Sequence, residues 1–198
     1  MSGAERRQLL VAAALQVMRR DGVAAATTRA ICTQAGMPLG AFHYCFHSKA
    51  ELFQVILDGD LQQSLDDAWS VLDPALTAEQ NLRALVTAYW MAVEADPQWC
   101  LVLSELTAHC LRDPELAALP ARDYAIYRAQ VITQLKRFLT DSGSGHGIDI
   151  GVLADVLIAG LEGITSSWLA HRDGEVARAS LDAFVEMVAG TITTASDS

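Results

Sequence analysis

Apolar residues recur along this chain at the spacing of one helical face, and no stretch settles into the strict alternation of a strand. Leu10, Ala13, Ala14, Val17 and Met18 follow the i, i+3, i+4, i+7, i+8 pattern and predict a helix from about Glu5 to Asp21. Gly22 follows, where a left-handed residue is wanted. Thr27 is placed to cap a second helix that runs through Arg29, Ile31 and Thr33 to Ala35, with Gly36 as its stop. Pro38 opens a short third helix ending around Phe46, since a first helical position has no use for the missing N–H. Ser48 caps a long fourth helix, with Glu51 placed three residues on as in a capping box, and Asp73-Pro74 break it after about Val71. Helices at about 77–95, 98–111, 121–140, 149–171 and 175–193 follow, separated by Asp96-Pro97, Asp113-Pro114 and the loop-like DSGSGHG, residues 141–147. The pattern predicts an all-α protein without internal repeats.

Composition fills in this picture. With 198 residues, 52% of them hydrophobic, the chain can bury a full core. No window of eighteen or more residues is free of charge, so no membrane span is expected. The N-terminal MSGAERRQLLVAAALQVMRRDG reads as an amphipathic helix rather than a signal peptide, because Arg19, Arg20 and Asp21 follow its apolar run; a cytoplasmic protein is expected. Cys32, Cys45, Cys100 and Cys110 form no C-x-x-C pair and are expected reduced. The net charge of −10 is uneven. Residues 1–49 hold six basic and two acidic side chains, a balance of +4, which leaves −14 on the rest. A basic head on an acidic body predicts that the head meets an anionic partner.

The stretch GAFHYCFHSK, residues 40–49, sets two histidines four apart around a cysteine. On a regular helix His43 and His47 would lie about 40° apart, but Cys45 would lie on the opposite side from His43, so the three cannot chelate one ion. Tyr44 occupies the place that glutamate takes in the zinc-protease pattern His-Glu-x-x-His. No metal site and no cofactor are expected. A helix, a glycine turn and a second short helix make instead a helix-turn-helix, whose second helix enters the DNA major groove. Phe42 and Phe46, four apart, would pack inward. Pro38, Leu39, Ala41, His43 and Tyr44 would then face DNA, with Gly40 allowing close approach to the backbone. Lys49 can reach a phosphate, and Thr27 and Thr28 can hold another at a helix N-terminus.

TTRAICTQAGMPLGAFHYCFHSKAELF, residues 27–53, resembles the DNA-binding segment of the tetracycline-repressor (TetR) family of bacterial regulators, and AALQVMRRDG, residues 13–22, resembles that family's first helix. The resemblance implies a helix-turn-helix domain over residues 1–50 and a helical ligand-binding and dimerisation domain over 51–198. It also implies a homodimer on a double-stranded, palindromic operator, released by a small-molecule effector. The family usually has a phosphate-touching tyrosine where this chain has His43, which can still donate a hydrogen bond and would bind phosphate more strongly when protonated. It often has a polar or basic residue where Leu39 stands. Leu39 offers apolar contact, as to a thymine methyl, leaving more of the specificity to DNA shape and water.

In the body, Trp90, Trp99, His109, Tyr124, Tyr127 and Trp168 are amphipathic and could line a ligand pocket. Glu94, Glu105 and Glu162 beside such rings would suit a cationic or lipophilic compound. LSELTAHCLRDPELAAL, residues 103–119, loosely resembles the branch of the family that contains the regulator of betaine synthesis genes. Leu157, Leu161 and Ile164, in a stripe with Leu153 and Trp168, and Phe184 and Val188, in a stripe with Leu181 and Val185, are expected to form a four-helix dimer interface. Gly160 and Gly163 would let helices approach closely, and Gly59 would soften the fourth helix. No Ser-His-Asp order, phosphate-binding loop or dinucleotide-binding glycine pattern supports an enzyme, and no catalytic residue is expected. A helical interaction module without DNA binding is the other alternative to a regulator.

Overall fold

A computed structural model describes residues 1–73, 75–141 and 149–196; the side-chain surroundings of 59–68, 140–141 and 193–196 are outside that description. The described residues are helical throughout, without strands. The order is α1 (Gly3–Asp21), a 3₁₀ turn (Val23–Ala25), α2 (Thr28–Gln34), α3 (Leu39–Cys45), α4 (Lys49–Trp69), α5 (Ala78–Ala95), α6 (Pro97–Arg112), α7 (Leu119–Asp141), α8 (Ile150–His171) and α9 (Gly174–Ser196). The surroundings of Gly59 and, beyond Asp141, the DSGSGHG segment fall outside the described residues.

Local chemistry sets the boundaries. Ser2 caps α1 by accepting from the Glu5 N–H at 3.1 Å, while the Glu5 carboxylate accepts from the Ser2 N–H at 2.6 Å. Gly22 closes α1 at φ +85° and Gly36 follows α2 at φ +65°, conformations that a side chain resists. Thr27 caps α2, its hydroxyl accepting from the Ala30 N–H at 3.2 Å. Pro38 stands just ahead of α3, in extended backbone, rather than inside its first turn. Thr77 and Gln80 make a second complete capping box on α5.

The chain divides into two compact units, Met1–Gln62 with Gln98–Tyr124, and Gln63–Pro97 with Ala125–Ser198. In the first, Leu10, Ala14, Val17 and Met18 of α1 pack with Ile31 of α2, Phe42 and Phe46 from α3 and its end, and Leu52 and Phe53 of α4. Val102, Leu106 and Cys110 of α6 complete the same core. In the second, α9 packs on both α5 and α8. Its buried side chains include Leu85, Trp90, Leu135, Leu157, Leu161, Phe184 and Val188.

Among the described residues α8 is long and apolar enough to cross a membrane by length and composition, against the expectation that no segment would qualify. Its charge is confined to Asp155 and Glu162 until His171 at its end. One face of α8, carrying Leu153, Leu157, Leu161 and Trp168, is buried within the chain, and Asp155 pairs with Arg128 of α7.

Candidate functional site

The short helix α3 is held from below. Phe42 and Phe46 are buried with ring centroids 5.5 Å apart, which fixes which face of α3 turns outward. Arg7 of α1 secures its end: the guanidinium lies 4.2 Å from the Phe46 ring centroid, donates to the Cys45 carbonyl at 2.6 Å and pairs with Glu51 at 2.8 Å. The Ser48 hydroxyl accepts from the Glu51 N–H at 3.2 Å, but the Glu51 carboxylate accepts from the N–H of His47, not of Ser48. The capping box is therefore shifted by one residue on its return bond. The hydrogen bonds from His47 and Arg7 hold the Glu51 carboxyl well below the usual carboxylate range, at about 2.

The outward face of α3 carries much of the expected set. Leu39 is 43% exposed and Tyr44 73%. Pro38, Gly40 and His43 are exposed beside them, and Ala41 is half-buried. Arg6 of α1 lies 5.3 Å from the Tyr44 ring centroid and adds a cation to this face, which spacing along α3 alone could not reveal. Thr27 is exposed and committed to its cap, and Thr28 begins α2 half-buried.

Lys49 does not join that face. Its ammonium lies 5.0 Å from the Phe53 ring centroid and 3.4 Å from Nε2 of His109, and desolvation lowers its pKa against the opposing pull of Asp113 and Cys110. His47 hydrogen-bonds Glu51 through Nδ1 at 3.0 Å, and no group of three potential metal-binding side chains occurs among the described residues.

The six proposed pocket residues fall three to each unit. Trp99, His109 and Tyr124 lie in the first. The Arg19 guanidinium is 5.6 Å from the Trp99 ring centroid, and His109 meets the edge of Phe53. Trp90, Tyr127 and Trp168 lie in the second. Trp90 and Trp168 are both buried in a T-shaped pair with centroids 5.1 Å apart, and the Trp90 indole N–H is buried without a partner. Two of the three glutamates have other work: Glu94 pairs with Arg178 at 2.9 Å, and Glu105 accepts from the Val23 N–H at 3.0 Å.

Of the expected dimer stripe, Leu157, Leu161, Phe184 and Val188 are buried inside the single chain, and Ile164 is half-buried. Gly160 faces Phe184, whose ring would lie 2.4 Å from an added Cβ, whereas Gly163 opens onto free space. The outward faces are different ones. On α8 they carry Val152, Val156, Ala159, Gly163, Ser166, Ser167 and Ala170; on α9, Val176, Ala179, Ala183, Met187 and Gly190. Val152, Val156, Val176 and Met187 are 57%, 47%, 50% and 66% exposed, and the charged side chains of Glu162 on α8 and of Glu175, Arg178, Asp182 and Glu186 on α9 are exposed as well.

A family model described as "Bacterial regulatory proteins, tetR family" matches residues 10–56, the helices that frame α3. A second, described as "BetI-type transcriptional repressor, C-terminal", matches residues 78–190, more than half of the chain. The chain belongs to the TetR family. As a member it is a DNA-binding transcriptional regulator of repressor type, not an enzyme. The HTH-type nicotine-responsive transcriptional repressor HdnoR of Paenarthrobacter nicotinovorans is 30% identical over 131 residues, 66% of this chain and 68% of that protein. The HTH-type transcriptional regulator BetI of Rhizobium meliloti (strain 1021) is 31% identical over 104 residues, 50% of this chain and 51% of its own. Among solved structures, GusR of Salmonella enterica matches with TM-score 0.79 at 21% identity, covering 97% of each chain. FadR of Bacillus subtilis, solved in complex with stearoyl-CoA, matches with TM-score 0.73 at 16% identity over 93% of this chain and 98% of that one. The likeness to these solved structures is one of fold, over almost the whole of each chain.

Proposed function

We propose that this regulator is a homodimeric repressor that reads a palindromic operator with α3 and releases it when a small molecule binds the body. The observation that carries the reading is the outward face of α3, with Pro38, Leu39, Gly40, His43 and Tyr44 exposed above the buried Phe42 and Phe46. Pro38, Leu39, Ala41, His43 and Tyr44 meet base edges and backbone, Gly40 permits close approach, and Arg6 adds charge beside Tyr44. Thr27 and Thr28 offer a phosphate site at the start of α2. Lys49 contributes there only by leaving His109.

The dimer uses the exposed apolar positions of α8 and α9, including Val156 and Met187, with Leu157, Leu161, Phe184 and Val188 supporting them from beneath. Ligand response is supported by the buried Trp90–Trp168 pair, since the unpartnered Trp90 indole N–H calls for an acceptor. HdnoR, by its name, is nicotine-responsive, and FadR was solved with stearoyl-CoA, so relatives and fold neighbours of this chain meet small organic molecules of unlike chemistry. The cell interior, without a membrane partner, is the setting that DNA binding requires.

The test is fluorescence anisotropy on operator fragments selected from random DNA, against scrambled DNA, at several salt concentrations, with light scattering for mass. Selective binding that weakens with salt, by a dimer on a two-fold sequence, is the expected result. Binding indifferent to sequence, or by a monomer to a single half-site, would overturn the reading.

A further inference from the structure

Lys49, Phe53 and His109 meet pairwise. The Lys49 ammonium lies 5.0 Å from the Phe53 ring centroid and 3.4 Å from Nε2 of His109. His109 meets the edge of the same phenyl ring, with centroids 6.0 Å apart and planes at 72°. Phe53 is fully buried, and Lys49 and His109 are half-buried. All three belong to the first compact unit, although 60 residues separate Lys49 on α4 from His109 on α6. Lysine offers donors only, so in this contact Nε2 of His109 is the acceptor. Asp113 and Cys110, which also act on the ammonium, both favour its charged form against the desolvation.

Lys49 opens α4, four residues after Cys45 ends α3. From there its stem can carry the ammonium to a phosphate beside α3, and the sequence predicts that contact. The structure instead seats the ammonium on a phenyl ring and an imidazole. A partly desolvated cation–π contact and a charge-assisted hydrogen bond are together no weaker than one salt-screened phosphate contact. Of the two, the phenyl ring belongs to α4 itself and travels with Lys49. His109 comes from α6, so it is the partner that decides where the ammonium stays.

We propose that His109 is a positioning residue for DNA binding, which holds the Lys49 ammonium off the phosphate backbone so that the DNA complex forms one cationic contact short. The proposal rests on the reading above that α3 meets DNA, and it adds a side chain of α6 to the set that governs affinity. Phosphate contacts carry no sequence information, so the withheld contact lowers affinity for every sequence alike and leaves the choice of operator to α3. A phosphate contact also releases counterions, so its presence or absence is read in the slope of log affinity against log salt.

The test is a double-mutant cycle on the full chain: the parent, Lys49→Gln, His109→Phe and the two together. Anisotropy is read on a selected operator and on a scrambled duplex, from about 50 to about 200 mM salt, with Tm alongside. His109→Phe keeps a ring against Phe53 and removes the acceptor. It is expected to steepen the salt slope by about one, so that its affinity falls about three- to fourfold further than the parent's across that range. Lys49→Gln is expected to leave the slope of the parent unchanged and to return that of His109→Phe to the parental value. His109→Gln, which offers an amide oxygen in place of Nε2, is expected to keep the parental slope. A shallower slope for Lys49→Gln in the parent would overturn the proposal, because Lys49 would already sit on a phosphate with His109 in place. So would a His109→Phe slope equal to the parent's, even with a lower Tm and weaker binding, which is what a purely structural ring would give. Lys49→Gln leaves His109 unaltered, so the proposal can fail even where His109→Phe does not fold. The slope is read on the scrambled duplex too, so a protein without operator preference, which would overturn the α3 reading, still judges the role of His109.

Discussion

Glu105, midway along α6, accepts a 3.0 Å hydrogen bond from the backbone N–H of Val23, at the turn between α1 and α2. The residues are 82 positions apart in the chain, yet one carboxylate caps the 3₁₀ turn that sets α2 against α1. Gly22 makes room for it: a Cβ there would stand 3.3 Å from the Glu105 carboxylate, on backbone already at φ +85°. Glu105→Ala leaves the Val23 N–H to water and, like the loss of other helix-start caps, should cost about 1 kcal/mol. Glu105→Gln keeps an acceptor and should cost less. For a chain of this size about 1 kcal/mol is roughly 2–4 °C in Tm, which thermal unfolding resolves. Equal melting of both variants and the parent would remove the cap from the account.

Acid should loosen the same half of the molecule through Glu51. Its carboxyl holds off its proton until about pH 2, against an ordinary value of 4.5. Between those values the unfolded chain binds more protons than the folded one. The stability that Glu51 contributes is therefore complete above about 4.5 and is lost as pH falls towards 2. Glu51→Gln should flatten this part of the stability-versus-pH curve. A curve of unchanged slope below pH 4.5 would assign the acid sensitivity to other carboxylates.

Much of the head is legible in the sequence. The apolar face of α1, the Thr27 cap and the stops at Gly22 and Gly36 are local signals, and each falls where its pattern puts it. Two capping boxes, Ser2-x-x-Glu5 and Thr77-x-x-Gln80, carry the same kind of signal in the sequence. Other features had no local signal. Periodicity says that Val102, Leu106 and Cys110 share a face, but not that this face belongs with α1 to α4. Nor does it say that Lys49 turns to His109 rather than to solvent. On α8 and α9 apolar residues occur all round the helix, so the pattern cannot separate the side buried by the chain itself from the side left outside.

The α3 face makes a graded prediction. Tyr44→Ala and His43→Ala remove exposed groups that touch little of the core, so melting should hardly change while operator affinity falls by about tenfold each, or about 1.4 kcal/mol. Leu39→Ala should alter preference among operator variants more than affinity for DNA in general, because an apolar contact carries no charge. Arg6→Ala should weaken all sequences alike and reduce the salt slope by about one. A Tyr44→Ala variant that binds as the parent does would move the contact surface off α3.

Gly160 tests the packing of α8 on α9. The Phe184 ring would lie 2.4 Å from an added methyl, and both helices are fixed by their own buried faces. Gly160→Ala should therefore destabilise by about 1–3 kcal/mol despite alanine's better helix propensity, read as a lower Tm. Gly163→Ala meets nothing within its own chain and should lower Tm less than Gly160→Ala does. If the two variants melt alike, Phe184 yields without cost.

The two halves of α8 distinguish core from interface. Leu157 is 4% exposed and Val156, the preceding residue, is 47% exposed. Leu157→Ala should lower stability by about 2–4 kcal/mol through the cavity it leaves, while the mass in light scattering stays that of a dimer. Val156→Lys and Met187→Glu should do the reverse. Each replaces an exposed apolar side chain by a charge, at little cost to a lone protomer, but its desolvation opposes association. A double variant carrying both changes restores opposite charge to the two faces. If it recovers the dimer that each single variant loses, Val156 and Met187 face each other across the two-fold axis. If all three variants remain dimeric, the interface lies away from Val156 and Met187.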